Sequence, residues 1–156
     1  METRIDLFGN EVAGKVAAKL GGVGQLVHKS SLPASTEHLV EIRASQINGC
    51  GFCLDMHTKE AAAAGETAVR LNMIAAWREA TVFSEAERAA LALTEEGTRL
   101  ADKGGVSDDT WAEVRKHYDD EQIGALISAI AIINAYNRLN VIARTPAGSY
   151  EVGMFG

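Results

Sequence analysis

The chain has 156 residues, 47% of them hydrophobic, which is enough apolar material for one packed domain and argues against disorder. Its 15 Lys and Arg against 21 Asp and Glu leave a net charge of −6, with no basic run. That balance excludes the usual electrostatic footprint for nucleic acid or an anionic membrane.

Only two prolines occur, alanine is abundant and β-branched alternation is nearly absent, so the pattern predicts an all-α chain. A first helix is expected over 10–26, ended by Gly21, Gly22 and Gly24. "SSLPAST" reads as a loop, with Ser35 or Thr36 capping a second helix that runs to about Ile47. Asn48-Gly49 breaks it. A third helix opens at or near Cys50, runs to about Ala64 and stops at Gly65. A shorter helix covers roughly Glu66 to Arg78.

"SEAE" at Ser84–Glu87 fits a capping box and starts a helix to about Ala101. Ser107 caps the next, with Trp111, Val114 and Tyr118 on one face. The last helix follows Asp119 and Asp120. Its segment Ile123–Ala143 is apolar and long enough to span a bilayer, but Asn134, Asn137, Arg138 and Asn140 interrupt it, so a buried helix is expected. A helix apolar on most sides needs cover all round, which makes oligomerisation plausible. The tail from 144 reads as irregular, with Tyr150 and Phe155 as docking anchors. No secretory signal is legible near Glu2, Arg4, Asp6 and Glu11, so a cytosolic location is expected.

Both cysteines lie in "NGCGFCLDMH". On a helix starting at Cys50, the side chains of Cys50, Cys53 and His57 share one face. Cys50 stands in the first turn, where free N–H groups and the helix dipole favour a thiolate. Two thiols at this spacing can close a disulfide, and the histidine can move a proton. A packed apolar pair and a zinc site are the rival readings; in the latter Glu37, His38 or Glu41 completes the ligand set. His38, Glu41 and Ser45 share a face of the preceding helix, which makes His38, Glu41 and Glu37 candidates for a proton relay. For Glu37 a solvated helix face is the preferred reading. Phe52 and Met56 are expected to pack, Asp55 and Lys59 to pair, and His28 and His117 have no partner legible in the sequence.

"LVEIRASQINGCGFCLDMHTKEA", Leu39–Ala61, resembles the core motif of the alkylhydroperoxidase D-like branch of the carboxymuconolactone decarboxylase family. "AAWREA", Ala75–Ala80, and "NAYNRL", Asn134–Leu139, are similar to further segments of that branch, so the resemblance extends over about residues 10–143. It implies a single all-α domain spanning 1–156, with 144–156 as a tail, assembled into dimers, trimers or hexamers. It implies a peroxidase that reduces organic hydroperoxides through a CxxC disulfide cycle and is recharged by a dithiol reductant, lipoyl-linked or thioredoxin-like. No metal, haem or flavin is implied. Cys50, Cys53 and His57 match the catalytic positions; Cys53 is implied as the attacking thiol and Cys50 as the resolving one, whereas the helix dipole alone favours Cys50 as the more acidic. The sequence departs from the family at two relay positions. His38 stands where the family usually has a glutamate, twelve residues before Cys50, and Phe52 stands where some members have a histidine. Slow or unusual peroxidase activity, or a different substrate, is expected from that. A lactone decarboxylase, which has no need of paired thiols, and a redox-sensing or zinc-binding helical protein are the alternatives.

Overall fold

A computed structural model describes residues 2–155, with only the backbone described at Lys103; Met1 and Gly156, the two ends of the expected domain, lie outside the described residues. The described residues form helices and connecting turns and contain no strand.

Helix α1, Glu11–His28, starts where the Asn10 side chain accepts from the N–H groups of Val12 and Ala13. It runs through Gly21, Gly22 and Gly24, which were expected to end it. An interior glycine costs roughly 0.5–1 kcal/mol relative to alanine, and tertiary packing overrides that here. The Tyr136 hydroxyl donates to Ala17 O at 2.8 Å, and a Cβ at Gly21 would stand 3.4 Å from the same hydroxyl.

Helix α2, Ala34–Asn48, begins directly after Pro33, one or two residues before the caps expected at Ser35 or Thr36. At its other end Gly49 adopts φ 65°, the left-handed conformation glycine tolerates. Gly49 N–H then donates to Gln46 O and Cys50 N–H to Ser45 O, a Schellman turn. This turn delivers Cys50 straight into the N-cap position of α3, Gly51–Ala63. The expected helix over Glu66–Arg78 divides into α4, Ala68–Met73, and a 3-10 turn, Ile74–Ala76.

The capping box of Ser84 and Glu87 is present at the head of α5, Glu85–Thr98. Arg99 interrupts the expected run to Ala101, and α6, Leu100–Lys103, follows as a separate turn. Helix α7, Asp108–His117, is capped by Ser107, with Val114 and Tyr118 buried and Trp111 largely exposed. A second capping box, Asp119 with Gln122, starts α8, Asp120–Ala143.

Helix α8 is the central element, packed by α1, α2, α3 and α5. It is long and apolar enough by composition to cross a membrane; a little under half of that apolar stretch is buried inside the bundle, Asn134, Asn137 and Asn140 are buried on it, and Ile127, Val141 and Ile142 are exposed. One core joins α5, α7 and α8 through Leu93, Val114 and Leu126; another sets Leu39, Ile42 and Ile74 against Trp77, Phe83 and Leu91. A full burial of such side chains contributes about 1.5–3 kcal/mol each. A small third cluster contains Ala44, Cys50, Cys53 and Ile133. Outside these cores, Val12, Val16, Val23 and Leu26 form an exposed apolar strip on α1.

Candidate active site

The two cysteines are free thiols, each 1% exposed, with their sulfurs 2.7 Å apart. The Cys50 sulfur also accepts the Cys53 backbone N–H at 3.4 Å, which makes it the cap of α3. The hydrogen bond from the Cys53 thiol, the Cys53 N–H, the Asn137 side chain and the nearby His57 outweigh burial and pull the Cys50 thiol down to about 7. The same hydrogen bond pushes the Cys53 thiol up, as do burial and the adjacent Cys50 charge. Within the pair, charge is therefore favoured on Cys50 and the proton on Cys53.

His57, also buried, presents Nδ1 to Glu41 Oε2 at 3.0 Å. The same carboxylate oxygen lies 3.8 Å from His38 Nδ1, an ion-pair distance too long for a hydrogen bond. Burial works against the Glu41 charge, but the two imidazoles win and hold its carboxyl near 2. The Glu41 carboxylate in turn raises the His38 pKa. The solvated face expected for Glu37 is not what forms: Glu37 is 7% exposed, and burial followed by the Glu41 charge raises its carboxyl pKa. The reason is the continuation of α1, whose last residue His28 brings Nδ1 to 3.4 Å from Glu37 Oε2. His28 thus has a partner that the sequence did not reveal, whereas His117 is exposed.

A cavity of about 720 Å³ opens onto Cys53, His57, Glu41, His38 and Glu37; Cys50 lies behind it and is not part of its lining. Gln25, His28, Glu60 and Asn140 also line it, and the remainder of the wall is mostly apolar. The α1 glycines and alanines form one side; Phe52 packs against the cluster around the cysteines, as expected, and with Met56 also lines the cavity. Phe52 meets Phe8 at a centroid distance of 5.7 Å and Phe155 at 6.2 Å, within the range of favourable aromatic pairs. Phe52 is therefore part of an aromatic wall of the cavity.

The C-terminal tail closes this wall. Asp55 accepts the N–H groups of Gly148 and Tyr150 and also pairs with Lys59 at 2.6 Å, as expected for that i, i+4 pair. Lys59 reaches on to Tyr150 O, and Glu60 accepts from the Tyr150 hydroxyl and from Gly153 N–H. Tyr150 is a buried anchor, while Phe155 lines the cavity yet remains half-exposed.

Behind the sulfurs runs an amide network that sequence reasoning missed. Asn48 Nδ2 donates to Asn134 Oδ1 at 2.9 Å and to Asn137 Oδ1 at 2.8 Å, and Asn137 Nδ2 donates to Ser45 Oγ at 3.0 Å. Asn140 Nδ2 approaches the Cys53 sulfur at 3.7 Å. The spacing of Asn134, Asn137 and Asn140 along one helix was the available signal, since such a row on a buried helix needs partners. Among the described residues, no group of three or more His, Cys, Asp or Glu side chains is placed to hold a metal ion.

Residues 15–96 match the carboxymuconolactone decarboxylase family. An uncharacterised Bacillus subtilis protein, YdfG, is 42% identical over 96% of this chain and 99% of its own. A crystallised Agrobacterium tumefaciens protein of unknown function, described as a candidate AhpD antioxidant defence protein, is 35% identical and superimposes with a TM-score of 0.87, covering 96% of this chain and 100% of that one. The debrominase Bmp8 is 19% identical, covers 87% of this chain and 73% of its own, and shares the fold with a TM-score of 0.78. The chain belongs to the carboxymuconolactone decarboxylase family, in its alkylhydroperoxidase D-like branch.

Proposed function

We propose that the chain is a thiol peroxidase that reduces organic hydroperoxides through a Cys50–Cys53 disulfide cycle. The observation that carries this reading is the pair of touching thiols, one of them facing an apolar cavity beside a histidine–carboxylate pair. Access and acidity point to different sulfurs, and the contact between them reconciles the two. The Cys53 proton passes to the Cys50 thiolate, leaving the sulfur that faces the cavity as the nucleophile.

The Cys53 thiolate attacks the terminal oxygen of the hydroperoxide. An S–O bond forms, the O–O bond breaks, and the alkoxide leaves as an alcohol with a proton supplied through His57, whose Nδ1 is held by Glu41. Cys50 then attacks the Cys53 sulfenic acid. The S–S bond forms, the S–O bond breaks, and hydroxide leaves as water with the Cys50 proton. A dithiol reductant, lipoyl-linked or thioredoxin-like, restores both thiols and is itself oxidised to a disulfide. No metal or organic cofactor takes part in this cycle. A reducing cytosol suits it, since it keeps the resting pair as thiols. The exposed apolar strip of α1 is the surface on which a homo-oligomer would form.

The test is thiol-state mass spectrometry after one equivalent of cumene hydroperoxide. Disulfide between Cys50 and Cys53, preceded by sulfenate on Cys53, is the expected result. Two thiols left unchanged would overturn the reading. The aromatic cavity wall and the fold shared with a debrominase support a second reading, reductive dehalogenation, and a brominated aromatic in place of the hydroperoxide separates the two.

A further inference from the structure

We infer that the Asn140 side-chain amide gathers the two reacting partners, with its N–H on the Cys53 sulfur and its carbonyl on the O–H of the hydroperoxide. This rests on the thiol peroxidase reading and adds to it a residue that selects the substrate's reacting end.

Asn140 is 3% exposed, lies one helical turn beyond Tyr136 on α8, and lines the cavity next to Cys53. Its Nδ2 donates one hydrogen to Tyr136 O at 3.0 Å and directs the other toward Cys53 Sγ at 3.7 Å. A backbone carbonyl can only accept, so Tyr136 O fixes which end of the amide is nitrogen. The remaining atom, Asn140 Oδ1, is buried and has no hydrogen-bond partner in the protein. A buried acceptor without a donor is costly, and native structures rarely leave one except where function uses it. The Tyr136 hydroxyl is already committed to Ala17 O.

A hydroperoxide supplies the missing donor. Its electrophilic atom, the terminal oxygen, is the atom that carries the O–H. With that hydrogen on Oδ1 and the sulfur on Nδ2, one rigid amide sets nucleophile and electrophile side by side, which is the condition for a fast transfer. The hydrogen bond survives the reaction. When the S–O bond forms and the O–O bond breaks, the same hydrogen remains on the transferred oxygen, now a sulfenic acid, and still faces Oδ1. Electrophiles without an O–H, such as dialkyl peroxides or iodoacetamide, gain nothing from the carbonyl.

The experiment compares two rates at Cys53 in the full chain: oxidation by cumene hydroperoxide and alkylation by iodoacetamide. In Asn140→Leu, oxidation is expected to fall roughly 100-fold, as for loss of one aligned hydrogen-bonding group in an active site, while alkylation falls only several-fold with the lost N–H. Asn140→Asp keeps an acceptor and loses the N–H, so both rates fall together and their ratio stays within about threefold of wild type, a factor below 1 kcal/mol. Circular dichroism shows whether each variant is folded; if the leucine variant is not, the ratio in the aspartate variant decides. Equal falls in the leucine variant, or a collapsed ratio in the aspartate variant, overturn the role of the carbonyl. A wild-type protein that alkylates but is not oxidised overturns the peroxidase reading instead, and the inference with it.

Discussion

Glu41 stands between two imidazoles, with Oε2 3.0 Å from His57 Nδ1 and 3.8 Å from His38 Nδ1. Glu41 thus brings a carboxylate to His57 from α2, one turn beyond His38. Replacing it as Glu41→Gln keeps the shape and removes the charge. Hydroperoxide turnover is expected to fall about 100-fold, with both thiols still titrating with a thiol reagent. Steady-state peroxidase assays check the first and thiol counting the second; unchanged turnover would remove Glu41 from the relay.

The same residue makes a prediction about acid stability. Its folded pKa, about 2, lies below its ordinary value of 4.5. A depressed carboxyl pKa stabilises the fold above the ordinary value, and that stabilisation is lost as pH falls from 4.5 toward 2. Denaturation midpoints measured across this window should fall more steeply for wild type than for Glu41→Gln.

The cysteine pair should be distinguishable by alkylation. Cys53 faces the cavity and Cys50 lies behind it, so a small alkylating reagent is expected to react at Cys53, at a rate that rises as pH passes through 7, where Cys50 becomes able to take the Cys53 proton. Peptide mapping after brief alkylation at a series of pH values reads both positions. In Cys50→Ser the acceptor for the Cys53 proton is lost, so peroxide treatment should stop at a Cys53 sulfenate formed more slowly than in wild type. A Cys53 alkylation rate that stays flat through pH 7 would overturn the role of Cys50 as the acceptor of its proton.

Glu95 is a buried carboxylate shared by Arg43 at 2.7 Å, Arg78 at 2.6 Å and the Trp77 indole N–H at 2.9 Å. Glu95→Ala leaves Arg43, itself mostly buried, without its partner and should cost about 3 kcal/mol, measured by urea unfolding. Its depressed pKa has the same sign as that of Glu41, so this contribution is present above 4.5 and fades as pH drops.

Asp55 ties the tail to α3 through Gly148 and Tyr150 N–H. Asp55→Ala should release that end of the cavity wall at a cost of about 1–2 kcal/mol. Cys53 should then react faster with a bulky maleimide, and the ratio of bulky to small reagent rates measures the change.

What was legible in the chain was local. The shared face of Cys50, Cys53 and His57 follows from helical spacing, and the capping box at Ser84 follows from side chains within one turn of their targets. What stayed hidden depends on residues far apart in sequence. Asn48 meets Asn134 and Asn137 across 86 and 89 positions, and the Glu37 environment exists because α1 continues to His28. Glycine propensity pointed to an earlier end for α1; packing against α8 decided otherwise. "NAYNRL" resembles a family segment, but the contact of Asn140, the next residue, is with a sulfur 87 residues away in the chain.

Because Cys50 is the cap of α3, its sulfur serves the fold as well as the chemistry proposed for it. As a thiolate it is a strong acceptor for the Cys53 amide at the positive end of the helix. Once bound in a disulfide it is neutral and a weak acceptor. The first turn of α3 should therefore fray each time the pair is oxidised and tighten again on reduction. Amide hydrogen exchange at Cys53 becomes a built-in reporter of how far the protein has travelled through its cycle.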